Sequence, residues 1–189
     1  QAPAVRSGGT RPLVIASGNG HLYRNGGKLT CVETAFEQIA AGKDVLDAVI
    51  AGVNIVELDP LDTSVGYGGL PNADGVVTLD ACCMHGPLKR AGGVAALQGV
   101  RMPSQVARVV AHQTDHHLLV GEDAQAFARQ MGFAIEDDLN TETSRRLWLD
   151  WKRRLDPQRW LDPATRAQAG FDAGREMVAE GLVDPEHYY

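Results

Sequence analysis

Apolar positions change their period along this chain, and each change marks an element. Residues 12–17, Pro-Leu-Val-Ile-Ala-Ser, form an unbroken apolar run stopped by Gly18, Asn19 and Gly20, the pattern of a buried strand ending in a tight turn. The loop over 18–27 holds four glycines in ten residues. Thr30 and Glu33 then read as a capping box for a helix over 31–41 that stops at Gly42. Asp44 caps a second helix over 45–58, in which Val45, Val49, Val53 and Val56 recur at helical spacing. Both helices read as packing elements. Further strands are expected over 76–82, 92–97 and 118–120, with helices starting at Pro103 and over 123–131. From Thr141 the character changes to charged, tryptophan-bearing helices over 141–155 and 163–180, broken by Asp156-Pro157 and Asp162-Pro163. With no internal repeat and no clear linker, residues 1–189 read as a single domain with a flexible N-terminus over 1–11 and a peripheral helical extension over 141–189.

Composition narrows the function. The chain has 189 residues, 44% of them hydrophobic, enough for a substantial core. Its formal charge of −6 argues against nonspecific binding to nucleic acid or to an anionic membrane, and favours a small neutral or zwitterionic substrate. No apolar run approaches the length of a membrane span. Cys31, Cys82 and Cys83 form no metal-type pair and read as buried small side chains, the last two facing opposite sides of a strand. The sequence begins at Gln1 with a polar stretch, compatible with removal of an export signal. A periplasmic or secreted location is therefore expected, with a cytoplasmic one as the alternative.

Candidate chemistry is sparse when the residues are read alone. There is no GxSxG elbow, no local cysteine nucleophile signature and no suggestive pair of carboxylates. Of the histidines at 112, 116 and 117, only His112 and His116 have i, i+4 spacing, and an apolar strand follows at once. No metal and no cofactor is expected, and His116 reads as a residue that packs or hydrogen-bonds near the core. The informative stretch is 59–86. Gly66, Gly68 and Gly69 make a loop that bends sharply, Pro71 to Gly75 make a turn, and a strand follows, together one wall of a pocket.

That stretch reads DTSVGYGGLPNADGVVTLDACCMHG, which resembles D-G-S-V-G-x-G-G-x-P-N-x-x-G-x-x-x-L-D-A-x-x-M-D-G of the glycosylasparaginases and their relatives, the N-terminal-nucleophile asparaginases and isoaspartyl peptidases. The likeness covers residues 12–151, through Ala91 to Leu97 and Thr114 to Glu122. It implies an α+β fold, a four-layer αββα sandwich completed by a separate β-subunit chain. The strands of this chain would then pair, mostly antiparallel, with those of the partner. It implies a precursor that cleaves itself before a threonine, which becomes the nucleophile at the start of the β subunit, so no catalytic residue lies in this chain. Asp62, Thr63, Ser64, Gly66, Gly68, Gly69 and Asn72 would support that nucleophile, and Gly18 and Asn19 would belong to a substrate-side loop. A dimer of αβ units and a small asparagine-derived substrate are implied as well.

Two positions depart from the motif. The Asn-Thr-Trp of glycosylasparaginases is Ala16-Ser17-Gly18 here, so the tryptophan associated with a glycosylated substrate is missing. Met-Asp-Gly is Met84-His85-Gly86. Two other readings stay open: a noncatalytic binding or scaffold protein with the family's α-side fold, and a self-contained enzyme using His116 and Asp80.

Overall fold

The computed structural model describes residues 11–185. The flexible N-terminus expected over 1–11 lies, except for Arg11, outside the described residues. A helical turn α1 (Asn19–Leu22) leads to α2 (Cys31–Ala40) and α3 (Val45–Glu57), which pack on each other. The strands β1 (Leu79–His85) and β2 (Arg90–Leu97) form a hairpin, followed by α4 (Pro103–Gln113), the short β3 (Leu119–Val120) and α5 (Gly121–Gln130). The chain continues through α6 (Glu142–Arg154), α7 (Pro157–Leu161) and α8 (Arg166–Ala179). This is a mixed α and β architecture, as the sequence pattern requires.

Local chemistry accounts for the helix ends. Thr30 and Glu33 form the expected capping box on α2, and Asp44 Oδ1 accepts the Leu46 and Asp47 N–H groups at the start of α3. Thr141 and Ser144 make a second box on α6. The sheet order is β1-β2-β3, antiparallel between β1 and β2 and parallel between β2 and β3. The register slips between Leu79 and Ala81. There Ala96 takes a left-handed φ of 50°, and its N–H donates to Asp80 Oδ1 at 2.7 Å. Asp80 is thus committed to a β-bulge.

One face of the sheet is covered by α4 and α5 around Val94, Leu97, Val106, Val110 and Ala128. The opposite face presents Cys82, Met84 and Val120 to solvent. Alternation along β1 produces this split, and it corrects the expectation of buried cysteines: Cys31 is buried, Cys83 half-buried, and Cys82 exposed on the open face.

Several expectations are corrected. Residues 12–17 form no strand, and Leu13 and Ile15 are 78% and 84% exposed, because no neighbouring strand among the described residues pairs with them. The loop after them contains the turn α1. β1 starts at Leu79, not Val76, and runs to His85. The stripe Val45, Val49 and Val53 faces outward in part, and Leu46, Ala48, Ile50 and Val56 supply the buried face of α3. His116 is exposed in the loop before β3, its N–H taken by Thr114 Oγ1. In the charged helix α6, Arg154 is paired with Asp150 and Glu180 and mostly buried. Thr141 and Trp148 of the helical extension pack against Gly68 and Gly75.

Gly92 sets the spacing between sheet and helix. A Cβ there would lie 2.4 Å from both the Ala107 oxygen and the Ala111 nitrogen of α4. Gly92→Ala should therefore push α4 off the sheet and destabilise the fold by about 1–3 kcal/mol, whereas Gly86→Ala, with open space around it, should not. Urea unfolding of the two variants checks this, and equal midpoints would refute it.

Candidate active site

Asp62 organises the glycine loop. It is fully buried, and its Oδ1 accepts the Ser64 N–H at 2.6 Å, the Ser64 Oγ–H at 2.6 Å and the Val65 N–H at 3.0 Å. An aspartate hydrogen-bonding two and three residues ahead is the device that bends a chain without secondary structure. The Thr63 carbonyl accepts the Leu70 N–H at 2.8 Å, which closes the base of the loop.

Glycines carry the turn itself. Gly66 has φ 60°, and a Cβ on it would lie 2.2 Å from the Glu57 carbonyl oxygen. Gly68 has φ 85°, with Thr141 Cγ2 at 2.8 Å from the same kind of added atom. The first clash is with backbone and cannot relax, so Gly66 is the stricter requirement. The Gly69 N–H donates to the Gly66 carbonyl.

The second predicted loop meets the first. Asn19 Nδ2 donates to Ser64 Oγ at 3.1 Å, and Asn19 Oδ1 accepts the Ser17 hydroxyl at 2.6 Å. Gly18 precedes α1 with an ordinary helical φ of −52°, and its carbonyl takes the His21 N–H. Asn72 lies apart from this group. Its Oδ1 accepts the Asp74 and Val76 N–H groups and so builds the turn before β1, beside Trp148 and Trp151.

Ser64 and Gly66 border a groove of about 570 Å³ between α3 and β1, whose walls include Val49, Val53, Asp80 and Cys82. At its floor Glu57 is buried, accepting the Ser104 N–H and hydroxyl and the Asn54 amide at 2.6–2.9 Å. Burial pushes its carboxyl up, against the pull of those donors. Among the described residues no group of three or more His, Cys, Asp or Glu side chains is placed to hold a metal ion.

Sequence reasoning missed three features here. The sequence pattern singles out neither Glu57 nor Asp59, and it shows His85 only as a departure from the motif. Asp59 Oδ2 accepts the Asn25 N–H at 2.7 Å, tying the early loop to the chain after α3. His85 is buried, and its Nδ1 accepts the Leu88 N–H, so Nε2 carries the proton and donates to Asp44 Oδ2 at 2.8 Å. It pins the hairpin to the start of α3.

Two loops are thus fastened to each other at Ser64, beside a groove and next to Gly66, where no side chain fits. Residues 14–177 match the family described as asparaginase, and the chain belongs to that family. It is 41% identical to an N(4)-(β-N-acetylglucosaminyl)-L-asparaginase of Elizabethkingia miricola over 75% of this chain and 39% of the relative. To the enzyme of that name from Mus musculus it is 39% identical, over 84% of this chain and 43% of the other. A plant-type L-asparaginase of Pyrococcus abyssi is 37% identical over 76% and 48%. The chain thus spans less than half the length of these relatives.

Asp44 gives this region a pH dependence. The Asp47 N–H, first, and then the His85 and Leu46 N–H bonds hold its carboxyl below the usual aspartate range. A depressed folded-state pKa contributes stability above the unfolded value of about 3.9, and that contribution is lost as pH falls through the folded value. Asp44→Asn keeps a good cap and removes the titration. Thermal melts from neutral pH into acid should therefore show a smaller acid loss for the variant; superimposable acid limbs would overturn the assignment.

Proposed function

We propose that this chain is the nucleophile-holding half of an amidohydrolase that cleaves the side-chain amide of asparagine derivatives or the bond of β-aspartyl peptides. The observation that carries the reading is the hydrogen-bond chain Ser17–Asn19–Ser64–Asp62, which joins the two predicted loops at the lip of the groove. The names of the similar proteins support the reaction class. Their greater length, the open sheet face and the unpaired segment 12–17 support a second half.

In this reading the partner is a β subunit from the same precursor, beginning with threonine. Its strands would cover the open face and complete a four-layer αββα sandwich, and two αβ units would form a dimer. The threonine hydroxyl attacks the amide carbonyl while its own α-amine takes the proton. An α-amine titrates at about 7.7–8.0 and is partly neutral near physiological pH. The amine product leaves, and water cleaves the acyl-enzyme ester to release aspartate. Residues of this chain hold the threonine, and a displacement of about 1 Å costs on the order of a hundredfold in rate. The missing tryptophan at Gly18 makes asparagine and β-aspartyl dipeptides better candidates than glycosylasparagine.

The test is maturation and turnover of the assembled enzyme. Mass spectrometry should find a co-purifying chain that begins with threonine; a chain that matures with no partner and has no amidase activity would instead favour a noncatalytic protein. Gly66→Val should block self-cleavage, and Gly68→Val should lower turnover on the order of a hundredfold, while Lys152→Ala does neither. Normal maturation and turnover in both glycine variants would remove the role given to this loop. Assays with asparagine, a β-aspartyl dipeptide and glycosylasparagine rank the substrates.

A further inference from the structure

Ser64 has one hydroxyl hydrogen, and its destination decides what the site accepts. Asp62 Oδ1 already takes two backbone N–H groups, from Ser64 and Val65, so it acts as an acceptor. The 2.6 Å contact between Asp62 Oδ1 and Ser64 Oγ is therefore a bond donated by the serine. With its hydrogen spent, Ser64 Oγ faces every other neighbour as an acceptor. That fixes the orientation of Asn19, whose Nδ2 must be the atom 3.1 Å away. The Ser17 hydroxyl, donating to Asn19 Oδ1 at 2.6 Å, agrees with this orientation. Four side chains thus form a directed chain: Ser17 to Asn19, Asn19 to Ser64, Ser64 to Asp62.

We infer that Asn19 and Asp62 are positioning residues that set the polarity of Ser64, so that its exposed oxygen receives a hydrogen-bond donor of amine or ammonium type. This inference rests on the proposed function, in which the incoming donor is the α-amine of the partner's first residue. A carboxylate or carbonyl of a substrate meets only lone pairs at Ser64 and is turned away. Asp62 lies behind the serine as a buried carboxylate whose second oxygen, Oδ2, has no hydrogen-bond partner among the described residues. One carboxylate oxygen thus takes all three donors from Ser64 and Val65.

The titratable groups around the serine are few. Asp62 stands behind it, Glu57, Asp80, Cys82 and Cys83 border the groove, and Tyr23, pushed up by burial and then by the charges of Asp62, Asp184 and Asp59, is close enough to Asp62 to feel its charge. Of the groups that line the groove with Ser64, none is a cation.

Opposite charge changes on the two positioning residues test the idea in the assembled enzyme. Asp62→Asn keeps an oxygen to accept the backbone N–H groups and removes a negative charge, so an amine at Ser64 becomes a weaker base. The acid limb of kcat/KM should move down by at least about half a pH unit. Asn19→Asp puts an acceptor where a donor stood and adds a negative charge. It should move the acid limb up and lower kcat/KM roughly tenfold or more. Asn19 is only half-buried, so the second variant stays foldable if the first does not. Limbs that stay in place, or move together, in an active enzyme overturn the inference even if kcat falls. An unsubstituted enzyme with no amidase activity overturns the proposed function itself.

Discussion

The approach of Gly66 to the backbone of Glu57 is the constraint on which the rest of this region depends. The Tyr67 N–H donates to the Glu57 carbonyl at 2.7 Å, and the neighbouring glycine lies so close that no side chain fits between. The glycine loop is thereby laid directly on the last turn of α3. The side chain of the same Glu57 turns the other way and takes the N–H and hydroxyl of Ser104, in the first turn of α4. One residue therefore fastens the end of one helix, the bend of the loop and the start of the helix that covers the sheet. A buried carboxylate is costly to desolvate, and three donors converging on it are the compensation.

The far side of the loop is held by weaker but numerous contacts. The Gly68 N–H donates to the Leu139 carbonyl, and Arg101 lies 3.8 Å over the Tyr67 ring while making a two-pronged ion pair with Glu136. Segments near positions 60, 100 and 140 converge here. A loop of glycines has high entropy when free, and it can be a precise platform only if neighbours over-determine it. Backbone contact on one side and an arginine stacked on the other supply that.

Much of this was legible in the sequence because local rules governed it. The capping box at Thr30, the cap at Asp44, Pro103 at a helix start and the glycine loop all follow from residue chemistry within a few positions. What the pattern could not give were pairings across the chain. Nothing near Asn19 points to Ser64, 45 residues later, nor does anything near Asp44 point to His85. The strand expected at 12–17 is absent for another reason: the apolar run is real, but a strand exists only when a neighbour accepts its hydrogen bonds. Val45 and Val49 are exposed for a similar reason, since helical spacing shows which residues share a face and not what that face meets.

The lack of a strand neighbour for 12–17 among the described residues bears on the site. Ser17 and Asn19 contribute to the hydrogen-bond chain at Ser64, yet they follow a segment whose Leu13 and Ile15 have no apolar cover. The segment is secured at its later end, where Gly20 is buried against Cys31 and Asn19 reaches the serine. A side-chain bond between half-exposed groups is worth about 1 kcal/mol, too little to hold an extended segment by itself. Burying two aliphatic side chains is worth about 1.5–3 kcal/mol each and would hold it firmly. In the proposed assembly, a partner strand that covered Leu13 and Ile15 would also fix Asn19, so the fold and the site would be completed together.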